Sequence, residues 1–256
     1  MKRPMYFISH AIGWLMVGLV VTGCSSGPNR PSNDALFTAA RENDPAAIKT
    51  ALSTSPGGVD ARDGHNQTPL IAAARVHAPD AIQTLLDAGA NINARDNDSY
   101  TALHWTAYNN DPLTTKFLLD KGENHNMRDN DLETPLLLAA KNGYTAVAIE
   151  LINHNANLNS LDKKKFTALQ YAVKENNLEI VRALMDKSAD PNIHDADGWL
   201  PLMYAADNGN LQITQVLLEK GANPKLRTPE GTSPLDRARK HGYGEIEKLL
   251  LNHGAQ

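Results

Sequence analysis

Thr68-Pro69-Leu70 and, later in the same segment, Leu85-Leu86-Asp87-Ala88-Gly89-Ala90-Asn91 form the stretch whose echoes decide the fold. The tripeptide returns as Thr101-Ala102-Leu103, Thr134-Pro135-Leu136, Thr167-Ala168-Leu169, Leu200-Pro201-Leu202 and Ser233-Pro234-Leu235, each start lying 33 residues after the last. Small pairs or near-pairs follow it, as in Ala73-Ala74, Thr106-Ala107, Ala139-Ala140 and Ala205-Ala206, and Leu217-Leu218-Glu219-Lys220-Gly221-Ala222-Asn223 repeats the closing phrase. Five equal intervals do not arise from composition; they mark a chain built from copies of one unit.

Each part of the unit has a local physical reason. A threonine hydroxyl satisfies free amides at a helix start, and the proline beside it has the fixed backbone angle and missing N–H suited to the first helical position. A second helix follows, with Ile82, Leu85 and Leu86, or Ile180, Val181, Leu184 and Met185, at helical spacing on one face. Gly89, Gly122 and Gly221 are placed to end it in the left-handed conformation, with Asn155 and Ser188 as substitutes. The pattern predicts an all-α fold of stacked helix pairs joined by β-hairpin or turn loops. Leu200 replaces the capping hydroxyl, an expected cost of about 0.5–2 kcal/mol. The first copy is longer, since Leu36 lies 34 residues before Leu70, and the excess falls in Ser53-Thr54-Ser55-Pro56-Gly57-Gly58.

The period and the fuller phrase Thr101-Ala102-Leu103-His104 resemble the ankyrin repeat. The resemblance covers residues 34–256 as seven copies, near 34–62, 63–95, 96–128, 129–161, 162–194, 195–227 and 228–256. It implies a concave face, made from hairpin tips and first helices, on which a protein partner binds through variable residues. The frame itself implies no ligand.

The amino terminus reads differently. Lys2 and Arg3 precede an uncharged run from Met5 to Gly23, the form of a secretory leader spanning residues 1–23. Its end, Val21-Thr22-Gly23-Cys24, followed by Ser25, resembles the lipobox of bacterial lipoproteins. That resemblance implies cleavage after Gly23, a diacylglyceryl thioether on Cys24 and an acylated new amine, giving a lasting anchor. Ser25, where an aspartate would favour retention at the inner membrane, implies the outer membrane, with the folded part on the periplasmic side. Residues 24–33, rich in Ser, Pro and Asn, read as a flexible tether. Removing Met1 to Gly23 leaves 233 residues with a net charge of -6.

Composition narrows the function classes. With 256 residues, 41% hydrophobic and 21% charged, the chain is globular, and a net charge of -4 offers no basic footprint for nucleic acid. We find no H-E-x-x-H, G-x-S-x-G, G-x-x-x-x-G-K or G-x-G-x-x-G, and the one cysteine is committed to lipid. No catalytic residue, metal site or cofactor is expected. The position before each repeat start, which the family usually exposes on the concave face, holds Gln67, Tyr100, Glu133, Phe166, Trp199 and Thr232. Seven residues after the start stand Arg75, Tyr108, Lys141 and Lys174, and one hairpin tip carries Lys163-Lys164-Lys165. The partner-binding candidates are therefore Tyr100, Tyr108, Phe166, Trp199, Lys141, Lys163, Lys164 and Lys165, a mixture of aromatic anchors and basic character. Trp105, Tyr171 and Tyr204 share a place within the first helix and read as stacked core. The leading expectation is a monomeric, lipid-anchored scaffold for a protein partner. An immunity protein that neutralises a delivered toxin is the alternative, and an enzyme, which would need a deep polar pocket, is the third reading.

Overall fold

In a computed structural model that describes residues 32–256, fourteen α-helices succeed one another as seven pairs. The leader and the lipid-attachment residue Cys24 lie outside the described residues. The pairs are α1 (Asp34–Arg41) with α2 (Pro45–Leu52), α3 (Pro69–Arg75) with α4 (Pro79–Asp87), and α5 (Ala102–Tyr108) with α6 (Pro112–Asp120). They continue as α7 (Pro135–Lys141) with α8 (Thr145–Asn153), α9 (Ala168–Lys174) with α10 (Leu178–Asp186), α11 (Pro201–Asp207) with α12 (Leu211–Glu219), and α13 (Pro234–His241) with α14 (Gly244–Asn252). First helices pack on first helices all along the stack, and second helices pack on second helices except between α4 and α6; no strand occurs among the described residues.

The predicted local chemistry is in place. Thr68 and Thr134 hydroxyls accept the Ile71 and Leu137 amides at 3.3 Å, while Thr101 with His104, Thr167 with Gln170, and Ser233 with Asp236 form reciprocal capping boxes. Leu200 makes no side-chain cap, but it is buried, so packing stands where the hydrogen bond is lost. Gly89 and Gly221 turn the chain with φ of 86° and 95°, and Asn155 and Ser188 adopt the same left-handed region at 61° and 65°. The longer first repeat takes up its excess in a 3-10 turn, Gly58–Asp60. Asn33, the last residue of the stretch read as a tether, accepts there from the Ser55 hydroxyl at 2.8 Å and the Gly57 amide at 3.2 Å.

Successive repeats are tied by side chains as well as by apolar contact. Asn93, Asn126, Asn159 and Asn192 each accept, through Oδ1, the amide of Asn124, Asn157, Asp190 or Asn223 in the following repeat at 2.8–3.0 Å. Asp60 begins this ladder by accepting the Asn91 amide. At the hairpins, the amides of Asn97, Asn130, Lys163 and Ala196 donate to carbonyls of the preceding tip at 3.0–3.2 Å. His104 adds a third tie. Its Nδ1 accepts the Thr101 amide, so Nε2 carries the proton toward the Glu133 carbonyl, 3.3 Å away, and burial lowers the imidazole pKa to about 4, keeping the ring neutral. Gln170 does the same work in repeat five, donating to the Trp199 carbonyl at 2.9 Å.

One residue breaks the pattern of the interior. Glu123 stands where neighbouring repeats have Ala90, Ala156, Ala189 and Ala222. Its Oε1 accepts the Leu103 amide at 3.0 Å, whereas its buried Oε2 has no partner among the described residues. Burial pushes this carboxyl from 4.5 up to about 8. The folded state therefore favours the neutral acid, and stability attributable to this group is present below its unfolded value and is lost as pH rises from 4.5 toward 8. We predict that Glu123→Gln flattens this loss: urea melts of variant and wild type should diverge by about 1–4 kcal/mol in the variant's favour between pH 5 and pH 8. A difference between the two that does not change with pH would contradict the assignment.

Candidate functional site

The hairpins are organised by a recurring aspartate. Asp63, Asp96, Asp129, Asp162 and Asp195 each use Oδ1 to accept the amides two and four residues ahead, at 2.8–3.0 Å. The bond four residues ahead orients the position before each repeat start, which in three repeats is aromatic. The second carboxylate oxygen reaches toward the first helix. Trp105 Nε1 donates to Asp96 at 3.0 Å, the Tyr171 hydroxyl to Asp162 at 2.6 Å and the Tyr204 hydroxyl to Asp195, so these three rings, read from the sequence as stacked core, brace hairpin against helix, with Tyr171 buried and the other two half-buried. Burial, and then the adjacent aspartate, raises both phenols well above their ordinary range and keeps them as donors.

Around these braces the aromatic candidates gather in two clusters. Tyr100 lies 5.3 Å from the His104 ring and 5.2 Å from Trp105, with Tyr108 5.9 Å beyond Trp105. Phe166 lies 5.0 Å from Tyr171 and 5.9 Å from Tyr204, which is 4.9 Å from Trp199. Cations cover the rings: Arg75 over Trp105 at 4.9 Å, Lys174 over Phe166 at 4.6 Å, and Arg237 over Trp199 at 4.2 Å.

This packing corrects the expectation that the position before each repeat start is exposed. Phe166 is only 9% exposed, held between two tyrosines and capped by Lys174, while Gln67 and Glu133 are also buried and Tyr100 and Trp199 are half-buried. Tyr108, by contrast, is 51% exposed. The basic residues are less free than their sequence suggests. Lys141 donates to Glu133, Lys163 pairs with Asp131 at 3.1 Å, and Lys165 occupies the hairpin turn with φ of 61°, in register with Asn66 and Gly198. Lys164 is exposed at the same tip, near its neighbours in sequence but apart from the rings.

On this face a recess of about 500 Å³ is lined by Tyr100, Trp105, Tyr108 and Arg75 and by Asp98, Asp129 and Asp131. Sequence reasoning missed its acidic wall. The signal was present in Leu138, which stands where other repeats have Trp105, Tyr171 or Tyr204 and therefore gives Asp129 no brace. A second hollow, about 640 Å³, lies between α4 and α6, where Leu113 is 81% exposed and His77 meets Asp111 at 3.1 Å. Among the described residues no group of three His, Cys, Asp or Glu side chains is arranged to hold a metal. The two exposure classes separate cleanly in a stability measurement: Phe166→Ala should cost about 3–5 kcal/mol in urea unfolding, and Tyr108→Ala should stay within about 0.5 kcal/mol of wild type. A Phe166→Ala protein as stable as wild type would restore that ring to the surface.

A family model described as ankyrin repeats (3 copies) matches residues 14–96, 36–129, 103–195 and 187–256. The chain is also similar to the ankyrin repeat domain of Bcl-3, a unique member of the IkappaB protein family, whose crystal structure aligns with a TM-score of 0.76 at 25% identity over 85% of this chain and 97% of that one. Comparison with curated protein sequences found no match.

Proposed function

The chain belongs to the ankyrin-repeat family, and we propose that it is a scaffold, anchored by lipid on Cys24 to the periplasmic side of a bacterial outer membrane, that captures a protein partner on its hairpin and first-helix face. The observation that carries the capture is the recess beside Tyr108. There a half-exposed aromatic ring, the kind of side chain that contributes most at interface centres, borders an opening walled by polar groups. The rigid stack supplies what a binding face needs, because side chains fixed by hairpin aspartates lose little freedom on association.

The anchor rests on the sequence: a basic start, an uncharged run and Val21-Thr22-Gly23-Cys24 ahead of Ser25. Several acyl chains hold a protein to a bilayer lastingly where one does so only marginally. The partner is then met at the membrane surface, and the repeat stack is its docking frame.

In-cell photocrosslinking tests both halves. A benzoylphenylalanine introduced in place of Tyr108 should give a discrete protein adduct that fractionates with outer membranes, whereas the same probe in place of Leu113 should not. Cys24→Ser should abolish palmitate labelling and release the protein from that fraction. Adducts only from position 113 would move the binding face to the other hollow. A Cys24→Ser protein that still labels and still fractionates with membranes would refute the anchor.

A further inference from the structure

Asp129 differs from every other hairpin aspartate. Its Oδ1 makes the usual two bonds to the Asp131 and Glu133 amides, both at 2.8 Å, but no donor among the described residues reaches Oδ2. In the neighbouring repeats that oxygen is taken by Trp105, Tyr171 or Tyr204, and in the second by Arg41 of the first helix at 3.4 Å. Leu138 has nothing to offer. The residue is nonetheless only 5% exposed, and it lines the recess beside Tyr108.

Oδ2 is not among the sealed, unpartnered side-chain atoms of the interior: it opens into the recess, leaving a carboxylate oxygen that the protein does not use within reach of a donor from another chain. Its surroundings fit a cation. Asp98, at the rim, has no partner for its carboxylate among the described residues, and the recess is also lined by π surfaces, Tyr100 and Tyr108. Burial first, then the neighbouring Glu133 and Asp131 carboxylates, shifts Asp129 upward, and burial followed by the Asp129 and Glu133 charges shifts the Tyr100 phenol upward. Asp131 is paired with Lys163 and Glu133 with Lys141, while Arg75 lies over Trp105, so the carboxylates of the recess without a cation of their own are Asp129 and Asp98.

We propose that this recess receives an arginine side chain of the partner protein, its guanidinium donating to Asp129 Oδ2 and lying against Tyr108 with Asp98 closing the rim. Arginine is favoured over lysine because a planar guanidinium stacks on a ring while its fork of N–H groups reaches a carboxylate, whereas an ammonium is a compact, strongly hydrated charge. The protein already uses this geometry internally, with Arg75 on the Trp105 ring in the same recess and Arg237 on Trp199. The occupant assigned here is the third member of that series, brought by another chain.

The inference rests on the hairpin and first-helix face being the binding face, and its test keeps the two apart. The full chain, purified in nonionic detergent, is titrated calorimetrically with an acetylated and amidated peptide of three Gly-Arg units and with its lysine and glutamate counterparts. The arginine peptide should bind, the lysine peptide more weakly and the glutamate peptide not at all. Asp129→Asn, which retains the turn-forming Oδ1, and Tyr108→Ala should each weaken the arginine peptide by about tenfold. Leu138→Tyr gives a second route that does not depend on tolerance at Asp129. It supplies the phenol that Tyr171 and Tyr204 supply elsewhere, and should weaken peptide binding while leaving the melting temperature equal or higher. Lys248→Ala, on an exposed lysine of the last helix and outside the recess, should change nothing. The proposal falls if the arginine peptide shows no binding up to about 1 mM, if binding survives both Asp129→Asn and Leu138→Tyr, or if Lys248→Ala weakens it as much. A Tyr108 crosslink that persists unchanged in Asp129→Asn would sink the arginine recess and leave the binding face standing; the absence of any Tyr108 crosslink would sink the face itself.

Discussion

A single 33-residue helix pair has no interior of its own, and every other feature of this protein follows from that constraint. Ile180 and Leu184 of α10 are fully buried because α8 of the pair before and α12 of the pair after, together with α9 of their own pair, cover that helix. The polar ladder has the same logic. Each Asn-x-Asn segment uses one asparagine to shape its own turn and the other to hold the next repeat's amide, so the loops join repeats where apolar side chains do not reach. Stability is then a sum of weak units and the contacts between them rather than the property of one core.

The hairpin and first-helix face inherits its rigidity from these ties. A hairpin aspartate fixes the loop with one oxygen and, through the other, fastens the loop to a ring on the first helix, as Asp162 does with Tyr171. Where the brace is missing, at Asp129 and Leu138, the face opens into the recess beside Tyr108. The frame and the site are thus made from the same device, present in one repeat and withheld in another. Glu123, buried in the next loop back along the same region, adds a second departure from the repeat rule, and there the cost falls on stability as pH rises from 4.5 toward 8.

Much of this was legible in the sequence. The 33-residue interval, Thr-Pro at the helix starts and Gly89 or Gly221 at the helix ends are local signals, and local signals fix short helices. The structural role of Trp105, Tyr171 and Tyr204 was legible for the same reason, since their register is shared. Exposure at Phe166 was not, because it is decided by Tyr171 five residues on and by Tyr204 from the following repeat, a contact between units that no single copy encodes. The basic character assigned to Lys141 and Lys163 was likewise offset by carboxylates, Glu133 and Asp131, that pair with them only once the hairpins stack. The open oxygen of Asp129 was written in the sequence as a leucine at position 138, but its meaning needed the braces of the other repeats for comparison.

The coupling of neighbours is the claim on which the account stands, and Leu136, buried at the start of α7 in the central repeat, is the place to probe it. Native-state hydrogen exchange on Leu136→Ala resolves the response repeat by repeat. The account predicts a loss of about 2–5 kcal/mol of protection in α7 and α8, smaller losses in α5, α6, α9 and α10, and near-native protection in α13 and α14. An equal loss through all seven pairs, or a loss confined to α7 with its neighbours untouched, would contradict it.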